Sequence, residues 1–320
     1  MINPSILLAL SASEQSRFAA ELCWALAAQT GARVTAQHVV DSRGAWDLLG
    51  HDRPGFLGSG MFVTAHEQLV AALYTLGGKL LEVYDAHASA RAIRGESVLD
   101  EGNPVREICR RAPEHDLVVI GHKPSTFESP EDERRKSLRF SVAESLAHEC
   151  PRPLLVVQER CEPWSDMRIL LSLRHVNQNY IHSCLQMAST LRIDPEIVGL
   201  STGIHEEDAT TFAANLRQQN PDLSHVPINV TRLSDTILNP EKCAWWTSEE
   251  DIEADALPDT LLVMPTRELE GRRLTVYGSS PAFFIRHLKL PCILLWPEES
   301  PDHFSADTRP SPEGSTVPAS

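Results

Sequence analysis

Apolar positions along the chain alternate between two periods. Ile6-Leu7-Leu8-Ala9-Leu10 is a continuous apolar run of strand length, and Phe18, Leu22, Ala25 and Leu26 recur behind it at helical spacing. Ser13 stands at the N-cap position of that helix and Gly31 at its C-terminal stop. Val34 to Val40 predicts a second strand, and residues 42 to 60, rich in Gly and Pro, predict a loop. Leu69, Leu73, Leu76, Leu80 and Val83 predict the apolar face of a long helix, and Ala92 to Val98 a third strand. Asn103-Pro104 opens a short helix carrying Val105, Ile108 and Cys109, with proline suited to the first helical position. Leu117 to Ile120 predicts a fourth strand ending at Gly121, Ser141 the start of a helix, and Leu154 to Gln158 a fifth strand. Strands alternating with helices in this way predict an α/β fold with a parallel sheet and helices on both faces.

The pattern then recurs. Ile169-Leu170-Leu171-Ser172-Leu173 echoes Ile6-Leu7-Leu8-Ala9-Leu10, and Leu261-Leu262-Val263-Met264 echoes Leu117-Val118-Val119-Ile120. Ser141 to Pro153 and Ser279 to Pro291 have equal length, and each ends in proline before an apolar strand. Three correspondences in the same order, about 140 to 160 residues apart, predict two copies of one domain, since that period is too long for a solenoid unit. The boundaries expected are 1–158 for the first domain, 159–166 for a linker, 167–297 for a divergent second domain and 298–320 for a disordered tail. That tail is rich in Pro, Ser, Asp and Glu. Right-handed crossovers predict strand order 3-2-1-4-5 in each doubly wound, five-stranded sheet. Leu154 to Val157 and Cys292 to Leu295 are apolar edges that need cover. They are expected to meet across a pseudo-two-fold axis within the chain, an intramolecular pseudo-dimer.

Charge narrows the function classes. The 320 residues carry 44 acidic and 29 basic side chains, a net charge of −15. So acidic a surface repels phosphate backbones and anionic lipid, which argues against nucleic-acid and membrane partners. No apolar run approaches the roughly 20 residues of a membrane span, and the N-terminus has no signal-peptide pattern, so a cytoplasmic location is expected. Seven scattered cysteines without a Cys-x-x-Cys read as buried thiols in a reducing compartment. Thirteen histidines form no His-x-x-x-His pair near cysteine or acid, so no metal site is expected. Gly-x-Ser-x-Gly, the P-loop and Gly-x-Gly-x-x-Gly are all missing, and with them the fingerprints of hydrolase, P-loop and dinucleotide chemistry.

The sequence resembles the universal stress protein family. The resemblance rests on Ile6 to Glu14, Ala32 to Val40, Asp116-Leu117-Val118-Val119-Ile120-Gly121, Ser141-Val142-Ala143-Glu144 and Pro151 to Val157. In the second half it rests on Gly278-Ser279-Ser280 and Leu290-Pro291-Cys292-Ile293-Leu294-Leu295. It implies a five-stranded parallel sheet flanked by helices and, in many members, bound ATP. Such members carry an Asp after the first strand. After the fourth they carry Gly, two residues, Gly, nine residues, then Gly and Ser or Thr. Glycines let backbone approach phosphate, and amides at a helix start hold its charge.

Both copies depart from that motif. In the first, Ser11 replaces the Asp, Pro124 and Phe140 replace two glycines, and the loop before Ser141 is six residues longer. Gly121, Lys123 and Ser141 remain as candidate contacts. In the second, Arg174 replaces the Asp and Pro265 and Glu268 replace two glycines, while Gly278, Ser279 and Ser280 stay in register. The expectation is a non-enzymatic, regulatory or binding protein with degenerate nucleotide motifs and no required cofactor. Retained ATP or AMP binding with slow hydrolysis stays open, as does a nucleotide-dependent enzyme of similar topology. A homodimer and an unidentified protein partner stay open as well.

Overall fold

The computed structural model describes residues 4–49, 59–123, 141–172, 177–201, 206–232, 259–266, 285 and 290–297. Its first half runs β1 (Ser5–Ala9), α1 (Glu14–Thr30), β2 (Arg33–Val40), α2 (Ser42–Leu49), α3 (Ser59–Ala90), β3 (Gly95–Glu101), α4 (Pro104–Arg111), β4 (Leu117–Gly121), α5 (Val142–Glu149) and β5 (Leu154–Val157). Its second half runs β6 (Asp166–Ser172), α6 (Gln178–Leu191), β7 (Asp194–Ser201), α7 (Glu206–Gln219), β8 (Ile228–Arg232), β9 (Thr260–Pro265) and β10 (Cys292–Trp296). No helix among the described residues is long and apolar enough to cross a membrane. The expected tail, 298–320, lies outside the described residues.

All ten strands join one sheet of order β3-β2-β1-β4-β5-β10-β9-β6-β7-β8. The two separate five-stranded sheets expected from the sequence are therefore corrected to one continuous sheet. Every neighbouring pair is parallel except β5 and β10, which run antiparallel with Leu155 opposite Leu294 and Val156 opposite Ile293. Pairing these two apolar edges satisfies their backbone groups and leaves no open strand in the middle of the molecule.

Alternate residues of the strands feed two cores. Leu8, Val34, Val119, Leu155, Leu294 and Val263 pack on one face with Leu22 and Leu26 of α1, Leu81 and Tyr84 of α3, and Ile181 of α6. Leu7, Val118, Val156, Ile293 and Leu262 pack on the other with Ile108 of α4 and Leu146 of α5. Both cores cross the β5–β10 seam. Burial on both faces explains why these strands read as unbroken apolar runs.

Helix α1 is bounded as its sequence predicts. Ser13 caps it by accepting from Ser16 N, and Gly31, at φ 74°, closes it with an N–H bond to Ala27 O. Three local expectations are corrected. The expected 42–60 loop holds α2, because Asp41 Oδ1 accepts from Gly44 N at 2.8 Å and nucleates a helical turn there. The third strand begins at Gly95, not Ala92. Ala92 and Ile93 turn back onto the end of α3, with Ile93 N bonded to Ala88 O at 3.0 Å. On α3, Leu76 and Val83 are 65% and 57% exposed, while Leu81, Tyr84 and Ala88 are buried. The contact row runs Gly77, Leu81, Tyr84, Ala88. A side chain at Gly77 would meet His38 Cδ2 at 2.6 Å, so the missing Cβ sets which face of α3 approaches the sheet.

Candidate functional site

At the carboxyl edge, β1 continues to one side through β2, and β4 to the other through β5. This reversal is where open α/β sheets take ligands. At this edge Ser11 follows β1, Gly121 ends β4 with His122 and Lys123 after it, and Ser141 caps α5.

Ser11 is engaged in closing the start of α1. Its N–H donates to Ser16 Oγ at 2.8 Å, and its hydroxyl lies 3.0 Å from Ser13 Oγ. Ser13 Oγ in turn accepts from Ser16 N at 3.1 Å. Ser11 and Ser13 also line a groove of about 440 Å³ between α1 and α3, walled by Leu80, Trp24, Tyr84 and His87. An Asp at this position is absent, and the serine network satisfies the first turn without one.

Gly121 has a packing reason. A Cβ there would lie 2.3 Å from Gln15 C, 2.4 Å from Ser16 N and 2.5 Å from Gln15 O. The glycine lets the first turn of α1 press onto the end of β4. The same absence of a side chain that suits phosphate approach is here used by the protein's own backbone.

Ser141 caps α5. Its Oγ accepts from Glu144 N at 3.2 Å, and Glu144 Oε2 accepts from Ser141 N at 2.7 Å. This reciprocal capping box satisfies two of the amides that a phosphate would otherwise seek. Glu144 is only 2% exposed. Its carboxylate therefore stands at the helix start where an anion would bind. Glu144 is not among the residues expected from the motif; serine followed three residues later by glutamate is the sequence signal that finds it.

His122 is the second missed residue. It is buried, its backbone N–H donates to Val157 O at 2.8 Å, and its ring Nδ1 lies 3.4 Å from Ser141 Oγ. Lys123 is exposed beside it. The structure thus brings Gly121, His122 and Ser141 to one edge and places Ser11 on the α1–α3 groove. Gly278, Ser279 and Ser280, with Arg174 and Glu268, lie outside the described residues. Among the described residues, no three His, Cys, Asp or Glu side chains cluster to hold a metal ion.

Parallel strands wound on both sides of a switch point, with a glycine-ended fourth strand and a capped helix beyond it, define a doubly wound α/β protein. Residues 3–158 match the model of the universal stress protein family. A universal stress protein from Archaeoglobus fulgidus DSM 4304 is similar over 92% of this chain and 96% of its own, at 15% identity and a TM-score of 0.57. A functionally unknown protein from Pseudomonas aeruginosa PAO1 is similar over 92% of this chain and 93% of its own, at 12% identity and a TM-score of 0.52. At these identities the two show a shared fold. No curated protein matches the chain.

Proposed function

We propose that the protein is a tandem universal stress protein that acts by binding or regulation rather than catalysis, and that its first copy holds no ATP. The observation that carries this reading is the buried Glu144 carboxylate in the capping box of α5. An incoming phosphate would have to displace that carboxylate from Ser141 N or bind beside it. Pro124 and Phe140 replace two motif glycines in the same copy, and Ser11 replaces the expected acid.

The tandem part of the proposal draws support from strand order. Outward from the seam it is β5-β4-β1-β2-β3 on one side and β10-β9-β6-β7-β8 on the other. Two copies related by a pseudo-two-fold axis would give this order, each presenting its last strand to the other. The second copy, on this reading, completes the pairing that a single copy would need a partner chain to supply.

Purified protein, denatured and examined by mass spectrometry, tests the nucleotide part. The expected result is no stoichiometric release of ATP or AMP. Release of one equivalent per chain would overturn it.

A further inference from the structure

We infer that the cavity at the β5–β10 seam is a binding site for a small, uncharged, apolar molecule, of the size of xenon or a short hydrocarbon. The cavity has a volume of about 60 Å³. Leu155 of β5 and Leu294 of β10, which face each other across the seam, both line it. So do Leu26 near the end of α1, and Met187 and Leu191 at the end of α6. The ends of these two helices are tied together, Gln29 Nε2 donating to Leu191 O at 2.5 Å. Leu26, Leu155, Met187 and Leu294 belong to one core, on one face of the sheet. A molecule in the cavity therefore touches strands and helices of both halves, and neither half alone forms the site.

The chemistry of the lining selects the ligand. The lining side chains that carry polar atoms, Ser5, Thr30, Asp116, Trp164 and Thr190, are each hydrogen-bonded within the protein already. Thr30 Oγ1 donates to Leu26 O at 2.7 Å and Thr190 Oγ1 to Gln186 O at 2.9 Å, each turned back onto its own helix. Trp164 Nε1 donates to Cys292 Sγ at 3.2 Å. Asp116, the charged residue of the lining, has its Oδ2 taken by Ser5 N at 2.8 Å and Ser5 Oγ at 3.0 Å. A buried water needs two to four polar partners, and a polar ligand loses its hydration bonds unless the site replaces them. These side chains have their bonds made. Contact with the apolar lining is the interaction that remains, and an apolar molecule gains most from it.

Size and access fit the same class. Packed cores hold few voids larger than a water molecule, so a cavity at the centre of this one is a specific feature. An apolar cavity of about 150 Å³ stays dry and takes benzene or xenon. At about 60 Å³ the seam cavity suits the smaller of these and is too small for a lipid tail. Its inner lining, Leu155, Leu261 and Leu294, is 1% exposed. Its rim is not closed: Ser5, Thr30 and Asp116 are half-buried and Thr190 is exposed, so a solute reaches it from solvent.

The test is NMR of the full chain, carbon-13-labelled at its methionine methyl groups, under rising xenon pressure. Met187 lines the cavity, and Met264, buried in the core on the other face of the sheet, is the internal control. The expected result is a saturable shift of the Met187 methyl signal while that of Met264 stays in place. Ala32 is a buried residue of the lining, and Ala32→Leu, which fills the space with its own carbons, is expected to abolish the Met187 shift. A wild-type Met187 signal that stays in place, or drifts without saturating as Met264 does, overturns the proposal. A saturable shift that persists in folded Ala32→Leu overturns it too. Because the first readout is on wild-type protein, it does not depend on how the variant folds.

Discussion

Replacing Leu155 and Leu294 together by aspartate is expected to split the sheet at its centre. The two residues face each other across the antiparallel β5–β10 pair, and each is 1% exposed. They sit in one row with Val119 of β4 and Val263 of β9, both 0% exposed. Each substitution removes a buried leucine side chain, worth about 2–5 kcal/mol in comparable core truncations. Each also places a carboxylate where no partner waits, at a further cost of several kcal/mol. Directly opposed residues on one sheet face have Cβ atoms only about 4.5–5.5 Å apart, so the two carboxylates also repel. The sum rivals the roughly 5–15 kcal/mol that holds a typical domain folded. Limited proteolysis is expected to cut the double variant between residues 158 and 166, where wild type resists because Trp164 is buried and the backbone is tied to Pro291. A double variant that keeps wild-type helical content and wild-type protease resistance would contradict the seam.

The same substitution, glycine to alanine, is expected to act with opposite sign at two positions. At Gly121 the new Cβ meets the backbone of Gln15 and Ser16 at 2.3–2.5 Å. Those atoms belong to a capped helical turn and cannot swing aside, so α1 must shift on the sheet. Overpacking of this kind costs about 1–3 kcal/mol, and more where backbone is struck. At Gly78, inside α3, nothing lies within 4 Å of the added Cβ. There alanine removes the conformational penalty of a helical glycine, a gain of about 0.5–1 kcal/mol. Thermal melting of the two variants beside wild type checks this: Gly121→Ala melts lower and Gly78→Ala higher. Equal melting of Gly121→Ala and wild type would show that the close approach is not maintained in solution.

Much of the sheet was legible because buried parallel strands leave a plain mark. Ile6 to Leu10 and Leu117 to Ile120 have no polar residue to break the run, so period and length alone locate them. What the sequence concealed has physical causes. On α3 the spacing of Leu69, Leu73, Leu76, Leu80 and Val83 suggests one face, but Leu76 and Val83 are exposed and the sheet takes Leu81, Tyr84 and Ala88, with Leu80 packed beside them. The row is chosen by Gly77, a residue with no hydrophobicity to count. Ala92 and Ile93 look like strand and instead close a helix, because a turn needs apolar cover as much as a strand does. The edges Leu154 to Val157 and Cys292 to Leu295 were expected to meet; what was not foreseen is that their antiparallel pairing makes one continuous sheet of the two expected. The candidate site was half legible. Gly121 and Ser141 were found from their motif positions. Their roles were not, since a glycine that admits a phosphate and one that admits a helix look alike in sequence. Glu144, on which the proposed reading turns, was visible as the fourth residue of a capping box.

On the proposed reading, the first copy has closed its own phosphate site with Glu144. A lost donor or an opposed carboxylate costs roughly 1–3 kcal/mol per contact, and about 1.4 kcal/mol is tenfold in affinity. Two such losses would carry a micromolar site to roughly millimolar. Isothermal titration of the wild-type chain with Mg-ATP, at protein concentrations of tens of micromolar, measures this directly. The account predicts no saturable isotherm. A low-micromolar isotherm that disappears in Ser141→Ala would place ATP at the start of α5 and contradict it.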